Sequence, residues 1–220
     1  MQPIQQTRSA SAIGTNVILR KTYALLGATL VFSGLVAYWA MVTNAPPLNF
    51  LFIIVGYFGC IMLASAMKNS AMGIIPVFAL TGFMGYTLGP ILNLYLHTYI
   101  NGGQIVATAL GSTGVVFFVL SAYAVITKKD FSYLSGFLMV AITAAFLLGL
   151  ANIFLHLQAL SFVVSGAFIL LSSALILFQT SMIVNGGETS YIMATITLYV
   201  SIYNLFISLL SILGMTSGRN

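Results

Sequence analysis

The chain has 220 residues, of which 60% are hydrophobic and only 4% are charged. Soluble domains carry about 25% charged residues, so the composition excludes a soluble globular protein and indicates an integral membrane protein. The net charge of +5 comes from seven Lys and Arg residues scattered along the chain, which form no patch that could bind nucleic acid. The single cysteine, Cys60, excludes an intramolecular disulfide.

The chain starts with a polar stretch, residues 1–19, that is rich in Gln, Ser, Thr and Asn. This composition predicts a flexible cytoplasmic tail. Arg20 and Lys21 follow, and then an apolar run to about Val42 that is too long for the core of a signal peptide. We therefore expect a retained first span. Residues 20–214 are predicted to form the membrane domain, and residues 215–220 a short C-terminal tail.

Seven apolar runs follow one another, separated by short polar or Pro-containing turns. Backbone polar groups in lipid must be paired within the protein, which allows only helices or a closed barrel. The runs are much longer than the strands of a membrane barrel, which have about 10 residues, so we predict seven transmembrane helices. Their predicted bounds are residues 22–42, 48–67, 73–96, 104–126, 133–155, 160–184 and 191–214.

Basic residues are distributed unequally between alternate ends of these spans. If the N-terminus is cytoplasmic, the cytoplasmic segments hold six of the seven Lys and Arg residues and the outer segments hold only Arg219. This bias predicts a cytoplasmic N-terminus and a periplasmic C-terminus. A shallow or re-entrant last helix, which would return the C-terminus to the cytoplasm, is the alternative.

The last helix carries a polar stripe, and the sixth carries a sparser one. Members of the first are spaced by four, three, four and three residues, which places them on one helix face: Thr197, Ser201, Asn204, Ser208 and Ser211. The sixth helix has Ser165, Ser172 and Gln179, spaced by sevens. Lipid offers no partner to hydroxyls and amides, so both stripes are expected to face other helices or a wet cavity. We expect the Asn204 amide to bond a neighbouring helix.

The sequence also contains weaker signals of helix packing and of chemistry. Gly85 and Gly89 form a G-x-x-x-G pair, which allows close helix packing. His97 and His156 fall at predicted outer interfaces, where two polar interfacial side chains are a simpler reading than a shared metal site. No metalloprotease, P-loop or serine-hydrolase motif occurs, and no predicted span contains a carboxylate. The sequence therefore indicates neither an enzyme nor a cofactor.

Several segments resemble the Bax inhibitor-1 family. They are Gly85–Leu92 (GYTLGPIL), Ala109–Phe117 (ALGSTGVVF) and Gly186–Ile192 (GGETSYI), followed by Ala194-Thr195, Leu198-Tyr199 and Asn204–Phe206. The resemblance covers nearly all of the chain beyond the N-terminal tail. It implies an all-α fold, a seven-transmembrane-helix bundle in which six helices surround a central seventh.

Within the family, the chain is most similar to bacterial inner-membrane members that modulate the AAA protease FtsH, so the resemblance implies FtsH as a partner. The alternative is a calcium leak channel, because other members conduct calcium through a latch of two aspartates. Gln179 and Ser201 occupy the matching positions here, and neither ionises near neutral pH. Gln179, Ser201 and Asn204 therefore remain the candidate pore or latch-equivalent positions, without the acidic chemistry of the latch.

Overall fold

The computed structural model describes residues 3–155 and 157–217, and it describes side chains from residue 16 onwards. Within these ranges the chain forms seven α-helices and no strand. The helices are α1 (Pro3–Val42), α2 (Phe50–Ala66), α3 (Ile74–Thr98), α4 (Gly102–Thr127), α5 (Ser135–Leu155), α6 (Gln158–Val184) and α7 (Tyr191–Thr216). The predicted all-α membrane bundle is confirmed.

The start of the first helix differs most from the prediction, and the other helix ends lie close to the predicted ones. α1 begins at Pro3, so residues that the sequence analysis assigned to a tail are helical, and its apolar part alone, Asn16–Val42, is long enough to cross a membrane. No proline follows Pro3 in this stretch, so nothing interrupts the helix. α7 continues to Thr216, slightly beyond the predicted end at Gly214. Residues 1–2 and 218–220, also assigned to tails, lie outside the described residues.

Six of the seven described helices are long and apolar enough to cross a membrane, and α2 is a shorter apolar helix of 17 residues. Among the six long helices, the most apolar 18-residue stretch is least buried in α5 and α6, where 11% of it is buried. It is most buried in α7, where half of it is buried. The last helix is therefore the most buried of the six. Its 26 residues correspond to about 39 Å of α-helix, which is long enough to cross a membrane.

The chain divides into two compact units, and both contain part of α7. Unit 1 comprises Met1–Leu94 and Ile183–Tyr199, whereas unit 2 comprises Tyr95–Met182 and Val200–Asn220. Unit 1 therefore holds α1, α2, most of α3 and the first part of α7. Unit 2 holds α4, α5, nearly all of α6 and the rest of α7.

In unit 1, α1 and α3 pack backbone against backbone at the predicted G-x-x-x-G pair. A β carbon added to Gly85 would lie 2.5 Å from the Ser33 carbonyl oxygen, and one added to Gly89 would lie 2.5 Å from the Ala40 β carbon. Only glycine permits this approach, so the prediction of close packing at this pair is confirmed, and α1 is the partner.

The ends of unit 1 are fixed by polar contacts between loops and helices. At one end, Asn93 Nδ2 donates to the Met41 carbonyl oxygen at 2.8 Å and to Asn44 Oδ1 at 3.1 Å. At the other end, Ser190 Oγ donates to the Lys68 carbonyl oxygen at 3.1 Å. Because α2 connects the Asn44 loop to the Lys68 loop, it runs from one end of the unit to the other despite its short length.

Unit 2 contains an apolar cluster between α5 and α6, which is centred on Leu138, Ala145 and Leu171. The chain turns from α5 into α6 beside a hydrogen bond of 2.6 Å from Asn152 Nδ2 to Ser161 Oγ. Near the end of α7, Gly214 lies against the ring of Tyr95, where an added β carbon would be 2.5 Å from a ring carbon. These contacts connect α7 with the end of α3 and leave the outer faces of α5 and α6 exposed.

Candidate functional site

The polar stripe of α7 is enclosed, as expected. Ser201 and Ser208 are buried, and Thr197, Asn204 and Ser211 are half-buried, so no member of the stripe is exposed. On α6, Ser172 and Gln179 are buried and Ser165 is half-buried. Both stripes therefore lie against other parts of the protein, as predicted.

The two stripes meet through a direct hydrogen bond in unit 2. Ser165 Oγ of α6 donates to Ser211 Oγ of α7 at 3.1 Å. Gln179 and Ser201 both take part in further polar contacts, and Asn204 is half-buried. Neutral side chains that pair across helices in this way stabilise a membrane bundle, with typical contributions of about 0.6 kcal/mol each.

Serine hydroxyls fix two loops that the sequence analysis did not single out as sites. In unit 2, Ser181 of α6 donates to the Lys129 carbonyl oxygen at 2.7 Å and accepts from the Phe131 N–H at 3.1 Å. The loop between α4 and α5, in which Lys128 adopts a left-handed conformation with a φ of 51°, is therefore fixed at two points. In unit 1, Ser190 fixes the loop between α2 and α3 through Lys68.

A third buried contact joins three helices of unit 1. The Tyr199 side chain on α7 is 2% exposed, and its hydroxyl donates to the Thr81 carbonyl oxygen of α3 at 3.2 Å. The Ser33 hydroxyl of α1 lies 2.5 Å from the same phenolic oxygen. Because the phenolic hydrogen is used on Thr81, Ser33 is the donor in the shorter bond. The only signal for this residue in the sequence was its place in the Leu198-Tyr199 family pattern.

Charged groups lie outside these polar interiors. Both acids of the chain, Asp130 and Glu188, lie in loops, where each accepts a hydrogen bond from a backbone N–H two residues further on, that of Ser132 or Ser190. Among the described residues, no group of three His, Cys, Asp or Glu side chains could hold a metal ion. His97 lies in the last turn of α3, and His156 is outside the described residues.

The segments on which the resemblance rested lie in α3, in α4 and in the turn that leads into α7. The sequence model of the family described as "Inhibitor of apoptosis-promoting Bax1" matches residues 15–218. The chain belongs to the Bax inhibitor-1 family. The match includes all of α2–α7 and the apolar part of α1, so the whole membrane domain is that of the family.

Relatives with known names extend over nearly the same length. The chain is 49% identical over 207 residues to the Escherichia coli K12 protein named "Modulator of FtsH protease YccA", with 94% of each chain covered. It is 53% identical over 205 residues to an uncharacterized protein of Pseudomonas aeruginosa, with 91% of this chain and 90% of the relative covered. An uncharacterized protein of Helicobacter pylori is 32% identical over 206 residues. The one name among these that states a function describes a modulator of a protease.

Proposed function

We propose that this multi-pass membrane protein binds the FtsH protease in the bacterial inner membrane and restrains its degradation of other membrane proteins. The observation that carries the proposal is the identity of 49% to the FtsH modulator YccA over 94% of both chains. Similarity of this extent covers nearly the whole length of both chains. The proposed role is regulatory, so it requires a binding surface and a stable fold rather than catalytic groups.

The proposed orientation has a cytoplasmic N-terminus and a periplasmic C-terminus. It rests on the six Lys and Arg residues that lie before the first predicted span or in loops on the proposed cytoplasmic side, compared with Arg219 alone on the other side. Contacts within unit 1 support it, because Lys21, Lys68 and the first residue of α7 lie at the same end of that unit. In this orientation the N-terminal residues lie on the cytoplasmic side.

The N-terminal residues are proposed to act as a handle that the protease engages. A processive protease needs a segment that it can grip before it can pull, and residues 1–19 are mostly polar and small. Behind them lies a helical bundle whose polar side chains are paired between helices, as in the Ser165–Ser211 and Tyr199–Thr81 bonds. Such a bundle would resist extraction and occupy the protease, which would then degrade other substrates more slowly.

Deletion of Met1–Asn16 tests this handle. In membranes that contain FtsH, we expect the full chain to lengthen the half-life of a second FtsH substrate. With the deleted chain, that half-life should equal the value measured when neither form of the protein is present. The apolar part of α1 that follows the deletion is kept, so insertion should be preserved. Copurification with FtsH, measured for both forms, separates binding from engagement.

A matched control replaces residues 1–16 by the same residues in scrambled order. This variant should protect the second substrate as well as the natural chain, because a handle depends on composition and length. If the deleted chain protects the second substrate as well as the full chain does, the proposal that these residues act as a handle is wrong. If the full chain neither copurifies with FtsH nor protects the substrate, the proposed function itself is wrong.

The alternative function, a cation leak, rests on the buried polar positions Gln179 and Ser201. Their neutrality and the pairing of the stripes favour helix-to-helix bonding, because channel selectivity ordinarily uses rings of carbonyls or charged side chains. In liposomes we expect calcium flux at the protein-free level for the natural chain and for Gln179→Leu and Ser201→Leu. Thr108→Leu, at an exposed position of α4, is the control. If Gln179→Leu or Ser201→Leu changes the calcium flux and Thr108→Leu does not, the protein forms a pore instead.

A further inference from the structure

The first helix continues well beyond its apolar run. α1 is one uninterrupted helix of 40 residues from Pro3 to Val42, whereas the apolar run predicted for it begins at about residue 22. We call residues 3–14 of this helix the N-terminal extension. As a helix the extension is about 18 Å long, and fully extended the same residues would span about 40 Å. The segment that the protease is proposed to grip is therefore compact and helical in the structure.

The sequence gives the N-terminal extension little stability of its own. Ile4 and Ile13 are its only large apolar residues, and their separation of nine positions places them on opposite faces of a helix. Arg8 is its only charged residue, so no ion pair between successive turns can form within it, and no acid lies in its first turn. A short helix that is polar all round and lacks such pairs is not stable by itself.

Continuity with the rest of α1 is what keeps the N-terminal extension helical. The later part of α1 is fixed by buried residues such as Leu26 and Ala40, and a helix that continues from it needs no new nucleus. Because the helix is propagated from that side alone, residues before Gly14 can be helical only when Gly14 is helical too. Glycine lowers the equilibrium constant for helix formation about fivefold relative to alanine. Gly14 is therefore the position at which unwinding frees the whole extension.

We propose that the N-terminal extension unwinds at Gly14 before FtsH engages it, so that the stability of this short helix controls how readily the protein restrains the protease. The inference rests on the proposed function, because it specifies the form in which the handle is captured. A protease that pulls on a chain needs an extended segment. Only the unwound fraction is competent, and the apparent affinity is proportional to that fraction. Changes that stabilise the extension therefore weaken protection, and changes that break its helix strengthen protection.

The test measures how much of the full chain gives half-maximal protection of a second FtsH substrate in membranes that contain FtsH. Gly14→Ala should raise this amount about fivefold. Ser11→Pro breaks the helix within the extension and should lower the amount. Ser11→Ala removes the same hydroxyl but favours the helix, so it should raise the amount about twofold. Gly27→Ala is the matched control and should change nothing, because Gly27 lies inside the apolar run and its added methyl group would meet no atom within 4 Å.

Hydrogen exchange of the backbone amides of residues 8–14 provides a second measurement, made on the full chain without FtsH. Protection of these amides should rise about fivefold in Gly14→Ala, disappear at residues 8–10 in Ser11→Pro and stay unchanged in Gly27→Ala. Exchange at the rate of an unstructured peptide in the natural chain would overturn the inference.

Equal half-protective amounts for the natural chain, Gly14→Ala and Ser11→Pro would also overturn the inference. In both of these cases the natural chain still protects the second substrate. That result distinguishes them from a failure of the proposed function, in which no form of the chain protects the substrate or copurifies with FtsH.

Discussion

Replacement of Gly85 by alanine is expected to lower the free energy of unfolding by about 2–3 kcal/mol. The added methyl group would lie 2.5 Å from the Ser33 carbonyl oxygen and 3.0 Å from its α carbon. Those are backbone atoms, which cannot rotate away, so α1 and α3 must separate. Overpacking in a close-packed interior typically costs 1–3 kcal/mol. Unfolding in mixed micelles, measured as a function of the fraction of denaturing detergent, gives the change directly.

Gly111→Ala is the matched control for this prediction. Gly111 lies inside α4, and nothing is within 4 Å of the position that its β carbon would take. The same chemical change there should stabilise the protein by up to about 1 kcal/mol, because alanine is the better helix former. If Gly85→Ala and Gly111→Ala shift stability in the same direction, the close contact of α1 with α3 at this pair does not exist.

Removal of the Tyr199 hydroxyl by substitution with phenylalanine is expected to cost about 2 kcal/mol. The ring would still fill its buried site, but the Ser33 hydroxyl would lose its acceptor and the Thr81 carbonyl oxygen would lose a donor. Buried polar groups that are left without a partner cost about 1–3 kcal/mol. The same unfolding measurement applies, and Tyr133→Phe, which removes the hydroxyl of a 73% exposed tyrosine, should be close to neutral.

A double-mutant cycle with Ser33→Ala isolates the bond between the two hydroxyls. If Tyr199 and Ser33 interact as the structure shows, the double variant should be less destabilised than the sum of the single variants, by about 1 kcal/mol. Additive losses would mean that the two side chains act independently, and that Tyr199 stabilises α7 through Thr81 and packing alone.

Periodicity and composition were sufficient to predict the helices, but not which helices pack against each other. The apolar runs predicted every helix, and the polar stripe of α7 predicted that this helix is enclosed. The Gly85–Gly89 spacing predicted a close helix contact, but it did not indicate that α1 is the packing partner. A face of small residues can pack against any neighbouring helix. On α4, Ala107 and Gly111 also form a small-residue face, yet both are exposed, so spacing alone did not identify which glycines are packed.

The loop contacts were not predictable because they join positions far apart in the sequence. Ser181 bonds residues 50 and 52 positions away, and Ser190 bonds one 122 positions away. A serine that supports a loop has no local pattern that distinguishes it from other serines in an apolar helix. The start of α1 was missed for a related reason, since polar composition indicates exposure to water but does not exclude a helix.

The position of α7 in the chain has a consequence for biosynthesis. The helix with the largest buried share is synthesised after the other six described helices, and both compact units contain residues from it. Six helices must therefore be inserted into the bilayer and held there, with Ser33 and Ser165 still unpaired, until the final helix arrives. A chain that is terminated before Tyr191 would lack the α7 partners of these side chains, so the native bundle can form only after α7 has been made.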